Sequence, residues 1–503
     1  MTDKITVGVV GAGAMGRGIV QLFAQAGHPV LCYDAQSGAA AAAVDYVGGM
    51  LQRSVDKGRL TVDAFERIRA HVSVAQDLLA LAGCGVVIEA IVEDMGVKRD
   101  LFRSLESILG DDAVLATNTS SLTVSEIAAG CARPERVAGL HFFNPVPLMK
   151  VAEVIAAVRT SPATVHLLKT ITEGAGHRAV VTADQPGFLV NHAGRGLYTE
   201  GLRVVEEQVA APADVDDVLR DGMGFRMGPF ELLDLTGLDV SSRVMASIYD
   251  QFQQEPRFRP SSLVPPRVAA GLFGRKSGEG WYQYDDGKQV RPARRTVPTL
   301  NAGQRVWVDS HASQAAELKA LAVLAGMAVV NRGSDASLCI VQPWGMDATS
   351  MALSLGLDPV RTVALDPVTP FELRRTLMLT AVTAPEVRDL AHALLASDGV
   401  PVTLINDSGG FIAQRVMATI VNIAANIVQR GIASVADLED SVKLGLGYPH
   451  GPLAWGDRIG PARILTILRA QHDATGDPRY RASPWLVRRV ALGLPLVTTE
   501  AVR

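Results

Sequence analysis

Short apolar runs bounded by glycine alternate with stretches of helical spacing over the first 185 or so residues of the chain. Residues 5–10, Ile5-Thr-Val-Gly-Val-Val10, read as a buried strand, 11–16 as a glycine turn, and Ile19 to Ala26 as the following helix, stopped by Gly27. Val30–Tyr33 is the next strand and ends at Asp34; others are expected at Val86–Glu89, Val114–Thr117 and Val137–Phe143. Strands alternating with helices predict a largely parallel sheet covered on both faces. From Gly187 to about Met245 the spacing is helical, which marks a separate all-α unit. Residues 285–300 carry charges, Pro292, Pro298 and little periodicity, and read as a linker.

Beyond that linker the chain repeats itself. Asp184-Gln-Pro-Gly-Phe188-Leu-Val-Asn191 returns as Asp407-Ser-Gly-Gly-Phe411-Ile-Ala-Gln414, and Gly228, Pro229 and Asp234 return as Gly451, Pro452 and Asp457. Every pair is 223 apart (407−184, 451−228, 457−234), so the match runs without a gap. The preceding α/β region has a worn copy: Val363-Ala-Leu-Asp-Pro-Val368 echoes Val137 to Val146, with no histidine, no counterpart of Glu153 and no glycine signature near 303–330. The second half therefore reads as a catalytically silent duplicate.

Composition narrows the class. At 503 residues, 48% hydrophobic and 20% charged, the chain predicts about three or four globular domains. A net charge of −4 gives no general attraction to nucleic acid. The four cysteines, Cys32, Cys84, Cys131 and Cys339, lack metal-ligand spacing, so no metal is expected and a reducing, cytoplasmic setting is. The first ten residues run straight into a strand, so no leader is expected, and no stretch reaches the ~18 apolar residues of a membrane span.

Three groups of residues carry chemistry. In Gly11-Ala-Gly13-Ala-Met15-Gly16, after a strand and before a helix, the first glycine makes a turn, the second lets backbone approach a pyrophosphate and the third packs helix on strand. Asp34, at the end of the next strand, would accept the ribose hydroxyls of NAD and repel the 2′-phosphate of NADP. Thr117-Asn118-Thr119-Ser120-Ser121 offers hydroxyls at a strand's carboxyl end, although such residues also serve as plain helix caps. His141-Phe-Phe-Asn144-Pro, with Glu153 twelve residues on, sets a proton acceptor beside a carboxylate able to fix its tautomer. A lone histidine ending an apolar run is more often core; here the dinucleotide signature on the same chain favours a base for hydride chemistry.

Residues 1 to about 284 resemble the L-3-hydroxyacyl-CoA dehydrogenase family over its short form. The match rests on the glycine signature, Glu89-Ala-Ile-Val-Glu93, Asn118 to Ser121, His141 to Pro147, Pro186 to Asn191, Gly228 to Asp234 and Gly278-Glu-Gly-Trp-Tyr282. The longer arrangement resembles family members that act on 3-hydroxyadipyl-CoA in aerobic phenylacetate breakdown; 3-hydroxybutyryl-CoA is the other expected substrate. The resemblance implies a Rossmann-type NAD-binding domain (1–185), an all-α domain (186–284), the linker (285–300), a degenerate Rossmann-like domain (301–405) and a second all-α domain (406–503). It implies His141 as general base, Glu153 as its partner, and Ser120 and Asn191 on the substrate oxygens. Gly11, Gly13, Met15, Gly16, Asp34, Glu93, Lys98, Ser120, Asn144 and Lys276 would contact NAD. Lys57 aligns with a CoA-contacting lysine in a region shorter here than usual, and His192 stands where an arginine is common. Short members pair through their helical domains, so two such domains in one chain imply an intrachain pseudo-dimer, compatible with a homodimer of whole chains. Two rivals share these motifs: a hydroxy-acid or L-gulonate-type dehydrogenase, and a crystallin-like protein that keeps NAD without turnover.

Overall fold

Runs rich in valine form the strands of the first sheet. The computed structural model describes residues 4–301 and 303–500; residues 1–3, 302 and 501–503, within the spans expected for the first, third and fourth domains, lie outside it. Strands β1 (Val7–Val10), β2 (Val30–Tyr33), β3 (Val72–Val74), β4 (Val86–Glu89), β5 (Val114–Thr117), β6 (Val137–Phe142), β7 (Val151–Ala156) and β8 (Arg178–Ala183) form one sheet in the order β3-β2-β1-β4-β5-β6-β7-β8. Every residue of β1, β4, β5 and β6 is buried, as a sheet covered on both faces requires. Alternate side chains feed two cores. Val7, Val9 and Ile88 pack with Ile19, Phe23, Leu51 and Leu168 on one face, and Val10, Val87 and Leu115 with Phe102, Leu105 and Ile127 on the other. All pairings are parallel except β6 with β7, because the connection 143–150 is too short for a helical crossover.

The first helix spans Ala14–Gln25 and so begins earlier than its apolar spacing predicts. Gly13 is its N-cap, and a glycine in the first turn is tolerated because those amides have no intrahelical partner in any case. The expected linker needs correction at its start. Residues Gln283–Asp285 (β9) and Lys288–Val290 (β10) form a hairpin across Asp286-Gly287, both with positive φ (46° and 71°), which is the Asp-Gly turn that suits strand twist. Arg291 then pairs with Asp217 at 2.9 Å and with Glu231, which fixes the chain beyond the hairpin.

The chain divides into two compact units: one runs to His192 and includes Arg430–Leu446, the other comprises Ala193–Gln429 and the chain from Gly447 on. The second unit holds a smaller sheet of β11 (Arg305–Val308), β12 (Ala328–Val329), β13 (Leu338–Val341), β14 (Thr362–Leu365), β15 (Arg375–Leu379) and β16 (Val402–Ile405), ordered β12-β11-β13-β14-β15-β16. Again one pair, β14 with β15, is antiparallel, and Val306, Leu318, Ile340, Val363 and Leu394 form its core. In the same unit the helix Arg195–Glu206 lies against the helix Ile412–Gln429. Gly196 permits that approach, since a Cβ there would sit 3.1 Å from the Ile420 backbone. The buried Arg415 guanidinium joins them, donating to Glu200 and Glu207 at 2.7 Å each. No helix among the described residues is long and apolar enough to cross a membrane.

Candidate active site

The site is built at the carboxyl ends of β1, β2, β4, β5 and β6, where open parallel sheets bind ligands. Gly11 leaves β1 at φ +107°, and a Cβ there would meet the Ala90 carbonyl oxygen at 2.5 Å. A Cβ on Gly16 would lie 1.7 Å from the Gly11 carbonyl oxygen, so the turn closes only on two glycines. Gly13 differs: it is exposed, and a Cβ would meet nothing within 4 Å. Open space in front of a helix N-terminus, with first-turn amides lacking intrahelical partners, fits a pyrophosphate. Met15 lies half-buried in that turn. Asp34 accepts the Ala12 N–H at 2.7 Å and the Gln36 N–H at 2.8 Å. It thus ties the glycine turn to β2, and its oxygens keep further lone pairs for hydroxyl donors.

Glu93 anchors the polar turn after β5. One oxygen, Oε1, accepts from Thr119 Oγ1 at 2.6 Å, the amides of Ser120 and Ser121 at 3.0 and 3.2 Å, and Ser121 Oγ at 2.9 Å. Burial alone would raise the Glu93 pKa; the Thr119 hydroxyl, the Lys98 ammonium and the other donors outweigh it and hold the carboxyl below its ordinary value. Lys98 faces inward: it is buried, 2.6 Å from the buried Glu89 and 3.3 Å from Glu93. Glu89 also accepts the Thr117 hydroxyl and the Ile91 amide, both at 2.7 Å, so the buried ion pair is fully hydrogen-bonded, as burial of charge demands. Asn118 accepts the Phe142 N–H at 2.8 Å and clips this turn to β6.

His141 and Glu153 face each other directly across the antiparallel β6–β7 pair, where opposite Cβ atoms lie about 5 Å apart. His141 Nδ1 is 2.6 Å from Glu153 Oε2. The other carboxylate oxygen accepts the backbone N–H groups of Leu189 at 2.9 Å and Val190 at 2.8 Å. Glu153 is fully buried, whereas His141 keeps 6% of its surface. A carboxylate at Nδ1 places the imidazole proton there and leaves the lone pair on Nε2, the tautomer a proton acceptor needs. Phe143 and Phe188 flank the ring at 4.5 and 5.9 Å between centroids, and Phe188 is held at φ +49°, a conformation side chains rarely adopt.

Of the other expected residues, Ser120 and Asn144 are exposed and Asn191 is half-buried in the helical turn Val190–Ala193, next to the amide that holds Glu153. Lys57 is exposed at the end of the helix Ala39–Asp56, in a hairpin with the helix Val62–Ala70. Lys276 belongs to the second unit and pairs with Asp239 at 2.5 Å. Sequence reasoning did not single out the Leu189 and Val190 amides or Asn118 as parts of the pair's support. Backbone donors have no residue signature, and only Pro186-Gly187 hinted that the chain turns there.

A family model described as "3-hydroxyacyl-CoA dehydrogenase, NAD binding domain" matches residues 6–185. The companion model for the C-terminal domain matches twice, at 187–284 and 410–500. The chain belongs to the 3-hydroxyacyl-CoA dehydrogenase family. It is accordingly an NAD-dependent oxidoreductase. It is 37% identical to the 3-hydroxyadipyl-CoA dehydrogenase of Escherichia coli K12 over 98% of both chains. It is 38% identical, over 55% of this chain and 99% of the relative, to a probable 3-hydroxybutyryl-CoA dehydrogenase of Deinococcus radiodurans. A crystal structure of 3-hydroxybutyryl-CoA dehydrogenase from E. coli K12 superimposes with a TM-score of 0.85 at 36% identity, covering 97% of this chain and 99% of that one.

Proposed function

We propose that the protein oxidises L-3-hydroxyacyl-CoA to 3-oxoacyl-CoA. Bound NAD supplies the acceptor for the hydride that leaves C3. His141 Nε2 takes the 3-hydroxyl proton, and Glu153 stabilises the imidazolium that forms while keeping the ring in place. Ser120 and Asn191 hydrogen-bond the substrate oxygens, and Asn144 lies toward the nicotinamide. Gly11, Gly13, Met15, Gly16 and Asp34 take the adenosine and pyrophosphate, Glu93 and Lys98 form the wall behind Ser120, and Lys276 and Lys57 serve the cofactor and CoA. The observation that carries this reading is the 2.6 Å contact between His141 and a fully buried carboxylate at the edge of a dinucleotide-binding sheet. The name of the relative matched over 98% of its length supports 3-hydroxyadipyl-CoA as the first substrate to test, beside 3-hydroxybutyryl-CoA. NADH formation on these thioesters, and none on free hydroxy acids or L-gulonate, is expected; turnover of the free acids alone would overturn the reading. The four free cysteines suit a cytoplasmic setting.

The same reading makes the chain an internal duplication with one working site. The constant offset of 223, the C-terminal model matching twice, and a π-helical turn in each copy (Val218–Gly222 and Val442–Leu446) support it. Asp217 and Asp440, again 223 apart, each hold an arginine at a sheet, Arg374 at 3.4 Å and Arg178 at 3.0 Å. In the copy Asp366 follows β14 and its N–H bonds the Thr376 carbonyl of β15, so no histidine–glutamate pair faces across those strands. Gln414, the counterpart of Asn191, bonds Gly345, Pro343 and Asp366 internally. The packing of Arg195–Glu206 on Ile412–Gln429 supports an intrachain equivalent of the family dimer.

A further inference from the structure

The segment Arg430–Leu446 comes from the second helical repeat, yet it folds with the unit that carries His141 and Glu153. It grips β8, the edge strand beside β7, at both ends. At the far end the Ile432 carbonyl accepts the Ala183 N–H at 2.8 Å; at the start Arg178 reaches Asp437 at 2.7 Å and Asp440 at 3.0 Å. Capping the edge in this way satisfies polar groups an open sheet edge would expose. The segment then ends in the π-helical turn Val442–Leu446, a rare form that is frequent at functional sites.

Within that turn, Gly445 lies against Val190, whose amide holds the buried carboxylate, and against Val151 on the carboxylate's own strand. A Cβ at 445 would sit 3.1 Å from both methyl carbons of Val190 and 3.6 Å from a methyl of Val151. The N–H of Val190 is one of the two amides on Glu153 Oε1, and Val151 precedes Glu153 by two on β7, on the same face of the strand. Gly445 shows no positive φ, so what calls for glycine here is this contact and not backbone conformation.

We propose that the segment 430–446 is a positioning element of the catalytic unit, acting from Gly445 through Val190 on Glu153, so that the silent half is needed to align the working pair. The proposal rests on the reading of His141 and Glu153 as the catalytic pair. The path is short: packing at Gly445 sets Val190, the Val190 amide sets the carboxylate, and the carboxylate sets the imidazole. Misplacement of a catalytic group by about 1 Å costs on the order of 10²-fold in rate.

The test compares wild type, Gly445→Val, Gly445→Val with Val190→Ala, Asp437→Asn with Asp440→Asn, and His141→Gln, all in the full chain. Turnover is normalised to NAD-binding sites counted by fluorescence titration, with KM for the thioester and the melting temperature alongside. Gly445→Val is expected to lower kcat per site about 10- to 100-fold with KM and NAD affinity within threefold of wild type. Val190→Ala, which removes the methyls in the way, should recover most of that loss. The double Asn variant, which releases Arg178, should lose kcat in the same selective way by a smaller factor, and it decides the matter if Gly445→Val does not fold. Wild-type kcat in both segment variants, or a loss of NAD sites in proportion to activity, would overturn the proposal. An active His141→Gln would instead overturn the reading beneath it.

Discussion

Replacing Glu153 by glutamine removes one charge and almost no volume, from a group with no solvent exposure and three hydrogen bonds to satisfy. An amide offers one acceptor and one donor end. If its oxygen faces Leu189 and Val190, its NH₂ faces His141 Nδ1 and drives the imidazole proton to Nε2, where the lone pair is needed. Turned round, the NH₂ meets two backbone N–H donors in a buried site. Either orientation leaves the imidazolium without its counter-charge. At about 4 Å and an effective dielectric of about 20 that interaction is worth ~4 kcal/mol, which corresponds to roughly 10³ in rate. The mismatched donors cost a further ~1–3 kcal/mol of stability. Stopped-flow NADH formation should therefore show kcat lowered about a thousandfold, with NAD affinity preserved because the glycine turn is untouched. A folded Glu153→Gln protein turning over within tenfold of wild type would refute the reasoning.

Gly13→Val should leave the urea midpoint nearly unchanged, since a side chain there meets only open space, and weaken NAD at least tenfold in a fluorescence titration; unchanged affinity would remove the glycine turn from the cofactor site. Asp34→Ala should lower NAD affinity and narrow its preference over NADP, because both the ribose acceptor and the tie to Ala12 are lost; an unaltered NAD/NADP ratio of kcat/KM would contradict this. Burial pushes the Asp366 carboxyl up to about 7, with hydrogen bonds from Val368 and Gln414 opposing it only in part. The unfolded carboxyl titrates near ~3.9, so across roughly pH 4 to 7 the native state holds a proton the unfolded chain has released. The contribution of Asp366 is thus fully present below about pH 4 and declines as pH rises to about 7, by up to ~1.4 kcal/mol per unit. Denaturation curves of Asp366→Asn minus wild type should show the variant gaining across that window and the gain levelling above it; a difference independent of pH would sink the assignment.

Much of this site was legible because its parts lie near one another in sequence or end adjacent strands. The glycine turn, Asp34 and the His141–Glu153 spacing all follow from β1, β2 and a short return from β6 to β7. The inward course of Lys98 was not visible, because it depends on the buried carboxylate of Glu89, nine residues before it. The hairpin at Asp286-Gly287 was hidden by the surrounding charges and prolines, although the dipeptide is a turn signal in its own right. Least legible was the packing of 430–446 with the first unit: local periodicity shows that a segment is helical, and nothing in it names a strand edge some 250 residues earlier.

The central claim is that a single imidazole, held by Glu153, accepts the substrate proton. Single-turnover NADH formation by His141→Gln saturated with NAD and a 3-hydroxyacyl-CoA tests it most directly. The account predicts NAD bound with wild-type affinity and a hydride-transfer step slowed by about 10²- to 10⁴-fold; a rate close to wild type in that variant would contradict it.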